Sequence, residues 1–368
     1  MRIAHIGSKG IPSKGGTERV VEAVATRHAR RHQVTVYGSA RVCSPGIHRG
    51  VRVLAIQAPA AKHLGPVILE LRAALHALVR ARYDVVHVHA SENGFIVPLL
   101  RLRYPVVTTN HGPAYEREKW GAVAQRLIRA NERFSVKWAT IATAVAANQA
   151  QALSERYRWP VEHVPNGVAR EPVDNVAAAH ILEAANVRSG EYLLFAAARV
   201  DPTKGCHTLL EALSLLDDPL PLLVVGDLYH APGYEERLRE LAQGLPVTFV
   251  PRLDEKAALL GLLKQCRAFV FPSTVEAMSM MLLEALSTGA VTLASDIPEN
   301  TAVLPPEFLT FRADDPDDLR RQLVMLLGKD EIYRSGFRDC AAEWVRSRYD
   351  WDDIAEQYEA LYRRATRW

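Results

Sequence analysis

The sequence predicts an α/β protein of two doubly wound, parallel-sheet domains, and three observations carry that expectation. The chain has 368 residues, and at about 150 residues per domain that length suits two domains, each able to bury its own core. Short β-branched runs alternate with amphipathic stretches of helical period from the first residue, the order of parallel βα units joined by right-handed crossovers. The alternation halts at Pro165-Asn166-Gly167 and Glu171-Pro172 and then starts again, which marks a linker near residues 168–175.

Each element follows from its pattern. Strands are expected at residues 2–6, 33–37, 51–56, 84–89, 105–109, 140–144 and 161–164, with helices at 16–31, 66–82, 121–138 and 146–158 between several of them. The second half repeats the scheme, with strands at 192–197, 221–225, 247–250, 268–272, 291–295 and 308–311 and a helix at 206–216. A final amphipathic stretch, 352–367, carries Ile354, Tyr358, Leu361 and Tyr362 on one stripe. The expected division is therefore 1–170 and 171–348 for the two domains, with 349–368 a terminal helix packing back towards the first. Ligands of open parallel sheets settle beyond the carboxyl ends of the strands, so two such sheets facing one another would line a central cleft.

Composition removes several classes. Hydrophobic residues make up 48% and charged residues 24%, with 21 Gly and 21 Pro, which excludes a collagen-like, low-complexity or wholly disordered chain. The net charge is only +3, from 45 Lys+Arg against 42 Asp+Glu, so bulk charge gives no reason to expect a nucleic-acid partner. Cys43, Cys206, Cys266 and Cys340 are widely separated without a C-x-x-C pair, which suggests neither a zinc knuckle nor a disulfide framework. The N-terminal stretch lacks the apolar core of a signal peptide, and no run reaches the roughly 18 apolar residues of a membrane span. A cytoplasmic location is the expectation.

Four constellations could carry chemistry. The loop from Gly7 to Glu18 follows the first strand and includes Gly15 and Gly16 at a helix start, where free amides and the helix dipole favour an anion. Its glycines match neither a dinucleotide fingerprint nor a P-loop, and a tight turn with no ligand is the alternative to an anion cradle. Arg199 and Lys204, in Arg199-Val200-Asp201-Pro202-Thr203-Lys204-Gly205, place two cations at a strand end beside a helix start, a leaving-group clamp for a diphosphate or a solvated loop. Glu276 sits where a loop opens a helix and Glu284 lies two turns further in, about 12 Å away at the rise of a helix. That span suits a nucleotide sugar, with Glu276 by the sugar hydroxyls, backbone amides by the diphosphate and Glu284 by the ribose. His111, in Thr109-Asn110-His111-Gly112, ends a strand of the first sheet and reads either as a partner for a sugar hydroxyl or as a structural histidine. His87 and His89 share one strand face, but the sequence offers no third ligand at metal spacing, and none is assigned.

At these residues the chain resembles the retaining GT-B glycosyltransferases of family 4, and within them the bacterial sugar and rhamnosyl-type transferases with a G-I-P…G-G opening loop, here Gly10-Ile11-Pro12 and Gly15-Gly16. The likeness extends through Thr109 to Gly112, Lys119-Trp120-Gly121, Val164 to Val168, Arg199 to Gly205, Gly226-Asp227, the Glu276/Glu284 pair and Tyr349-Asp350-Trp351. It implies a GT-B fold of two Rossmann-like domains, a nucleoside-diphosphate sugar as donor, no metal or other cofactor, and a hydroxyl acceptor on a glycan, lipid-linked sugar or small molecule. Carried over by motif, the catalytic set is His111, Arg199, Lys204 and Glu276, and the donor-binding set is Gly15, Gly16, Asn166, Arg199, Lys204, Glu276, Met280, Met281 and Glu284. Retention in the family is thought to proceed by front-face attack, the departing phosphate oxygen taking the acceptor's proton. Two places depart from the family pattern. Ala277-Met278-Ser279 replaces Gly-Phe-Gly, which is expected to push side chains in beside the sugar, and Pro251-Arg252 stands where a glycine is frequent.

Two rival functions share these features: a nucleotide-sugar 2-epimerase of the same architecture, and a GT-B-like protein that binds the donor without transferring it. A requirement for an acceptor separates the first from a transferase, and turnover separates the second. Arg126, Arg129, Arg133 and Lys137 recur every three or four residues on one helix face. That face is a candidate for peripheral contact with anionic headgroups at the inner face of a membrane, although Glu132 lies among them and a solvated basic face is the commoner use.

Overall fold

The structure, a computed structural model, describes residues 1–12, 15–61, 64–112, 122–229 and 232–367. Ser13 and Lys14 of the first glycine loop and the Lys119-Trp120-Gly121 segment lie outside them. The chain divides into two compact units, Met1–Gly167 with Trp351–Trp368, and Val168–Asp350.

The N-terminal unit runs β1 (Arg2–Ile6), α1 (Gly16–His28), β2 (Gln33–Ser39), β3 (Gly46–His48), β4 (Val51–Ile56), α2 (Leu64–Arg80), β5 (Val85–His89), α3 (Val97–Leu100), β6 (Val106–Asn110), α4 (Ala122–Lys137), β7 (Ile141–Ala144), α5 (Ala147–Tyr157) and β8 (Val161–His163). Among the described residues its sheet has the order β3-β4-β2-β1-β5-β6-β7-β8. Every pairing is parallel except β3 with β4. The central strands β5 and β6 are buried at every position, as a parallel sheet covered on both faces requires. The edge strand β3 went unseen in the sequence because three largely exposed residues carry no alternation to read.

The C-terminal unit runs α6 (Asn175–Ala184), β9 (Leu193–Arg199), α7 (Cys206–Ser214), β10 (Leu222–Asp227), α8 (Pro232–Leu241), β11 (Val247–Val250), α9 (Lys256–Gln265), β12 (Ala268–Phe271), α10 (Met280–Ser287), β13 (Thr292–Ser295), α11 (Pro298–Thr301), β14 (Thr310–Phe311), α12 (Pro316–Leu327) and α13 (Glu331–Arg348). Its sheet is parallel throughout, in the order β11-β10-β9-β12-β13-β14. From β9 the chain builds outward on one side, then returns past β9 and builds outward from β12. The carboxyl ends of β9 and β12 therefore flank a topological switch point, where a doubly wound sheet opens for a ligand.

The chain leaves and re-enters the N-terminal unit at neighbouring points. Val168 donates its amide to the Tyr349 carbonyl at 2.7 Å and forms a parallel bridge with Asp350. The units meet at Gly167/Val168 and Asp350/Trp351. Gly167 lies so close to Trp351 that a Cβ there would stand 2.7 Å from the indole. The last helix, α14 (Trp351–Ala365), belongs to the N-terminal unit and buries the anticipated stripe of Ile354, Tyr358, Leu361 and Tyr362. Its tyrosines meet a polar seam of the sheet: Tyr362 Oη lies 2.7 Å from His87 Nδ1, and Tyr358 Oη 3.2 Å from Thr109 Oγ1. All four groups are buried, so each needs the other's hydrogen bond.

Candidate active site

In the C-terminal unit the loops that follow β9 and β12 are tied together. Asp201 caps a short 3-10 turn over Pro202–Lys204 by accepting from the Thr203 amide at 3.1 Å. The Thr203 carbonyl then accepts from the Thr274 amide at 2.9 Å. Gly205 ends the turn at φ 66° and lies against Pro272, whose carbonyl oxygen would stand 2.0 Å from any Cβ added there. Glycine is required twice over, by conformation and by space. The result brings Lys204 Nζ to 2.6 Å from Glu276 Oε1, with both side chains still partly open to solvent. Arg199 closes β9, exposed at the same carboxyl edge. Two cations and one carboxylate singled out by motif thus stand at the switch point.

Helix α10 starts later than expected. Glu276 lies in irregular chain four residues before Met280, and Glu284 is the fifth residue of the helix. The Glu276–Glu284 span is therefore not two turns of one continuous helix, and the 12 Å rise does not apply. Ser279 is the N-cap, its Oγ accepting from the Leu282 amide at 3.3 Å, which leaves Met280 and Met281 carrying the first helical amides beyond reach of any intrahelical carbonyl. In the Ala277-Met278-Ser279 departure, Met278 is buried and Ser279 caps α10.

Glu284 is 1% exposed, and its Oε1 lies 2.7 Å from Lys256 Nζ, which also reaches Glu171 Oε1 at 2.7 Å. Lys256, the first residue of α9, was missed in the sequence. Its partners lie 28 residues later and 85 earlier, and no local spacing announces such a triad.

The N-terminal unit has its own switch point, between β1 and β5. Gly7 ends β1 at φ 99°, with the His89 carbonyl oxygen 2.2 Å from where a Cβ would be. Asn93 Nδ2 spans both loops, donating to His89 O at 2.9 Å and Gly7 O at 3.3 Å. Ala90, directly after His89, adopts φ 67°, a strained setting of the kind that clusters at functional sites. Gly15 and Gly16 open α1, and the Glu18 side chain folds back to accept from the Lys9 amide at 3.2 Å. Around Gly16 the space for a Cβ is open. Asn166 is buried in the segment after β8.

His111 follows β6 on a turn closed by Asn110 Oδ1, which accepts from the Gly112 amide at 2.9 Å and from Gln149 Nε2 at 2.8 Å. His111 Nε2 lies 3.2 Å from His89 Nδ1, and His89 Nε2 lies 3.0 Å from His5 Nδ1. Folding also supplies the third imidazole that the sequence did not: the ligand atoms of His5, His87 and His89 all fall within 4.8 Å of one another. Both nitrogens of His87 are committed, one to Tyr362 and one to Thr109 Oγ1 at 2.7 Å, so the trio reads as a hydrogen-bonded cluster. Burial pushes His5 down to about 3 and His111 down to about 4, and holds His87 and His89 well below the ordinary histidine value. Glu70, buried beside Gly7, is pushed up to about 8 by the same loss of hydration.

On α4, Arg126, Arg129 and Arg133 are exposed as expected, while Lys137 lies over the Trp159 ring at 5.3 Å. Glu132 does not dilute that face. It is buried and bonded to Arg156 and to the Tyr157 hydroxyl. Leu127, Phe134 and Trp138 form an exposed apolar stripe beside the cations. No helix among the described residues is long and apolar enough to cross a membrane.

Two family models match the chain: one described as Glycosyltransferase Family 4 over residues 14–171, and one described as Glycosyl transferases group 1 over residues 180–344. A phosphatidyl-myo-inositol mannosyltransferase of Mycobacterium leprae is 28% identical, across 98% of this chain and 96% of its own length. The solved sucrose-phosphate synthase of Thermosynechococcus elongatus superposes with a TM-score of 0.82 at 21% identity, covering 99% of this chain and 98% of that one. Anabaena HepE, solved with UDP and glucose, gives 0.79 at 16% identity, covering 98% and 99%. At such identities the structural likeness speaks for the fold.

Proposed function

Because the chain belongs to the GT-B glycosyltransferases of family 4, we propose that it is a retaining transferase moving a sugar from a nucleoside diphosphate to an acceptor hydroxyl. The observation that carries this reading is the Lys204–Glu276 pair at the switch point of the C-terminal sheet, beside Arg199 and the first amides of α10. A diphosphate entering there competes with Glu276 for the Lys204 ammonium. Arg199, Lys204 and the Met280 and Met281 amides then meet the phosphate charge, and that charge grows as the leaving group departs. Glu276, released, accepts from hydroxyls of the transferred sugar, and Glu284 serves the ribose from its fixed place on Lys256.

In the N-terminal unit Gly15 and Gly16, at the start of α1, belong to the donor set by motif, and packing among the described residues makes no demand for glycine at position 16. Asn166 completes the donor set, and His111 bonds a sugar hydroxyl near the reacting carbon. Attack on the donor's front face lets the departing phosphate oxygen take the acceptor proton, so no carboxylate base is needed. With the phosphate charge met by side-chain cations and amides, a chelator should leave turnover unchanged. The mannosyltransferase relative makes nucleoside-diphosphate mannose the first donor to test.

A thermal-shift screen of nucleoside diphosphates and their sugars, followed by turnover with and without acceptors, tests the reading. Donor consumption that requires an acceptor supports it. Epimerisation without an acceptor, or binding without turnover, replaces it with one of the two rivals.

The exposed Leu127, Phe134 and Trp138 beside Arg126, Arg129 and Arg133 support a lipid-linked acceptor met at an anionic bilayer surface. Flotation with vesicles containing acidic lipid at physiological salt decides that point. A protein that stays at the bottom of the gradient has no such contact.

A further inference from the structure

We infer that His5 and His89 are positioning residues for His111: a relay of three imidazoles, buried at His5 and His89 and partly open at His111, fixes His111 as the Nδ1–H tautomer, so that it offers its ligand a donor and not a lone pair. The inference rests on the reading that His111 meets the transferred sugar, and it adds which atom of the ring does so and why.

The relay is short and in line. His5 Nδ1 and His89 Nε2 are 3.0 Å apart, and His89 Nδ1 and His111 Nε2 are 3.2 Å apart, with ring planes turned by only 18° and 23° along the series. His87 packs against His89 with centroids 3.9 Å apart and is itself held at both nitrogens, so the middle ring has little freedom to turn. All the rings are neutral at ordinary pH, and a neutral imidazole carries one ring proton. His89 therefore donates towards either His5 or His111, which leaves two consistent arrangements.

In the first, His111 donates from Nε2 to His89, His89 donates from Nε2 to His5, and His5 is left with its proton on Nε2. That nitrogen is buried with no hydrogen-bond partner among the described residues. In the second, every proton sits on Nδ1: His5 donates to His89, His89 donates to His111, and the partnerless His5 Nε2 is only a lone pair. A buried N–H without an acceptor is rarer in folded proteins than an under-satisfied acceptor, so the second arrangement prevails. It leaves His111 Nδ1–H, which has no partner among the described residues, free to donate to an oxygen of the bound sugar. A donor that stays neutral has a further use in glycosyl transfer, because an imidazolium there would oppose the positive charge that develops at the reacting carbon.

The test uses full-length protein labelled with 15N-histidine, with no donor or acceptor added, and long-range 1H–15N spectra that show which nitrogen of each ring is protonated. The expected result is Nδ1–H for His5, His89 and His111; Nε2–H at His111 overturns the inference. Two variants then probe the end of the relay. In His5→Phe, His89 loses its donor and the His111 signal should move to an average of both tautomers, whereas His5→Asn, whose amide N–H takes the place of Nδ1–H, should restore the original signal. A His111 signal unmoved in His5→Phe also overturns the relay. Since no substrate is present, the outcome is independent of transfer. Expected tautomers in a protein that transfers no sugar would sink the proposed function alone, and Nε2–H at His111 in an active transferase would sink the relay alone.

Discussion

Both units are doubly wound sheets with a switch point, and they equip it in opposite ways. In the C-terminal unit the polar groups are ions: Lys204 with Glu276 at the ends of β9 and β12, and Lys256, at the start of α9, with Glu284 and Glu171, several of them partly open to solvent. At the ends of β1, β5 and β6 they are imidazoles kept neutral by loss of hydration: His5, His87 and His89 are fully buried, and His111, partly open, is pushed down to about 4. Accessible ion pairs can exchange partners, which suits a doubly charged phosphate group arriving from water. Buried neutral rings are fixed in place and keep one tautomer, which suits recognition of an uncharged hydroxyl. The reversal of winding within each sheet thus decides where a ligand can sit, and the residues that end the strands decide what kind.

The largest test of that contrast is Lys204→Ala. If the charged locus stabilises a leaving diphosphate, kcat should fall by on the order of a hundredfold or more while donor affinity changes much less, since the charge grows towards the transition state. Steady-state kinetics with unchanged turnover would end the clamp role. Glu284→Gln comes next. It keeps the volume and removes the charge, and it should weaken donor and free nucleoside diphosphate alike by about tenfold, the worth of roughly one hydrogen bond. Calorimetry returning wild-type affinities would remove Glu284 from the ribose.

The smallest effect is on stability, and it separates the units by pH. Histidines whose folded values lie below the ordinary 6.5 contribute stability that is present above 6.5 and lost as pH falls towards about 4 and about 3, the values of His111 and His5. The C-terminal unit has carboxylates, Asp318 and Glu331, held below their ordinary 3.8 and 4.5 by neighbouring arginines and backbone amides, so their contribution is lost only below that range. Its His207 is also lowered, but it remains half-buried beside Asp314. Acid should therefore loosen the N-terminal unit first. Hydrogen exchange, corrected for intrinsic rates, should show its protection falling between pH 6 and 4, and the C-terminal unit opening first would contradict this.

Much of this was legible in one dimension. The parallel strands are short, β-branched and apolar, and periodicity places each central one within a residue or two. Glycine loops and charged residues directly after such strands are local signals, so Arg199, Lys204, Glu276 and His111 could be singled out before any fold was known. Other features carry no such signal. Lys256 takes its meaning from Glu171 and Glu284, and His5 from residues more than 80 positions away. The start of α10 depended on whether Ser279 or an earlier residue would cap it, a choice that local propensity leaves open.

The chain's pattern of apolar runs and turn residues by itself determined that there are two parallel sheets and which residues end their strands, because burial of a strand and freedom of a turn are encoded within a few neighbouring positions. Only the tertiary structure decided which of those ends lie side by side: that Lys204 grips Glu276, that Lys256 joins two distant glutamates, and that His5, His89 and His111 form one relay. The physical reason is strand order. Adjacency across a sheet is set by crossovers much longer than any local motif, and hydrogen bonds and ion pairs act over about 3 Å.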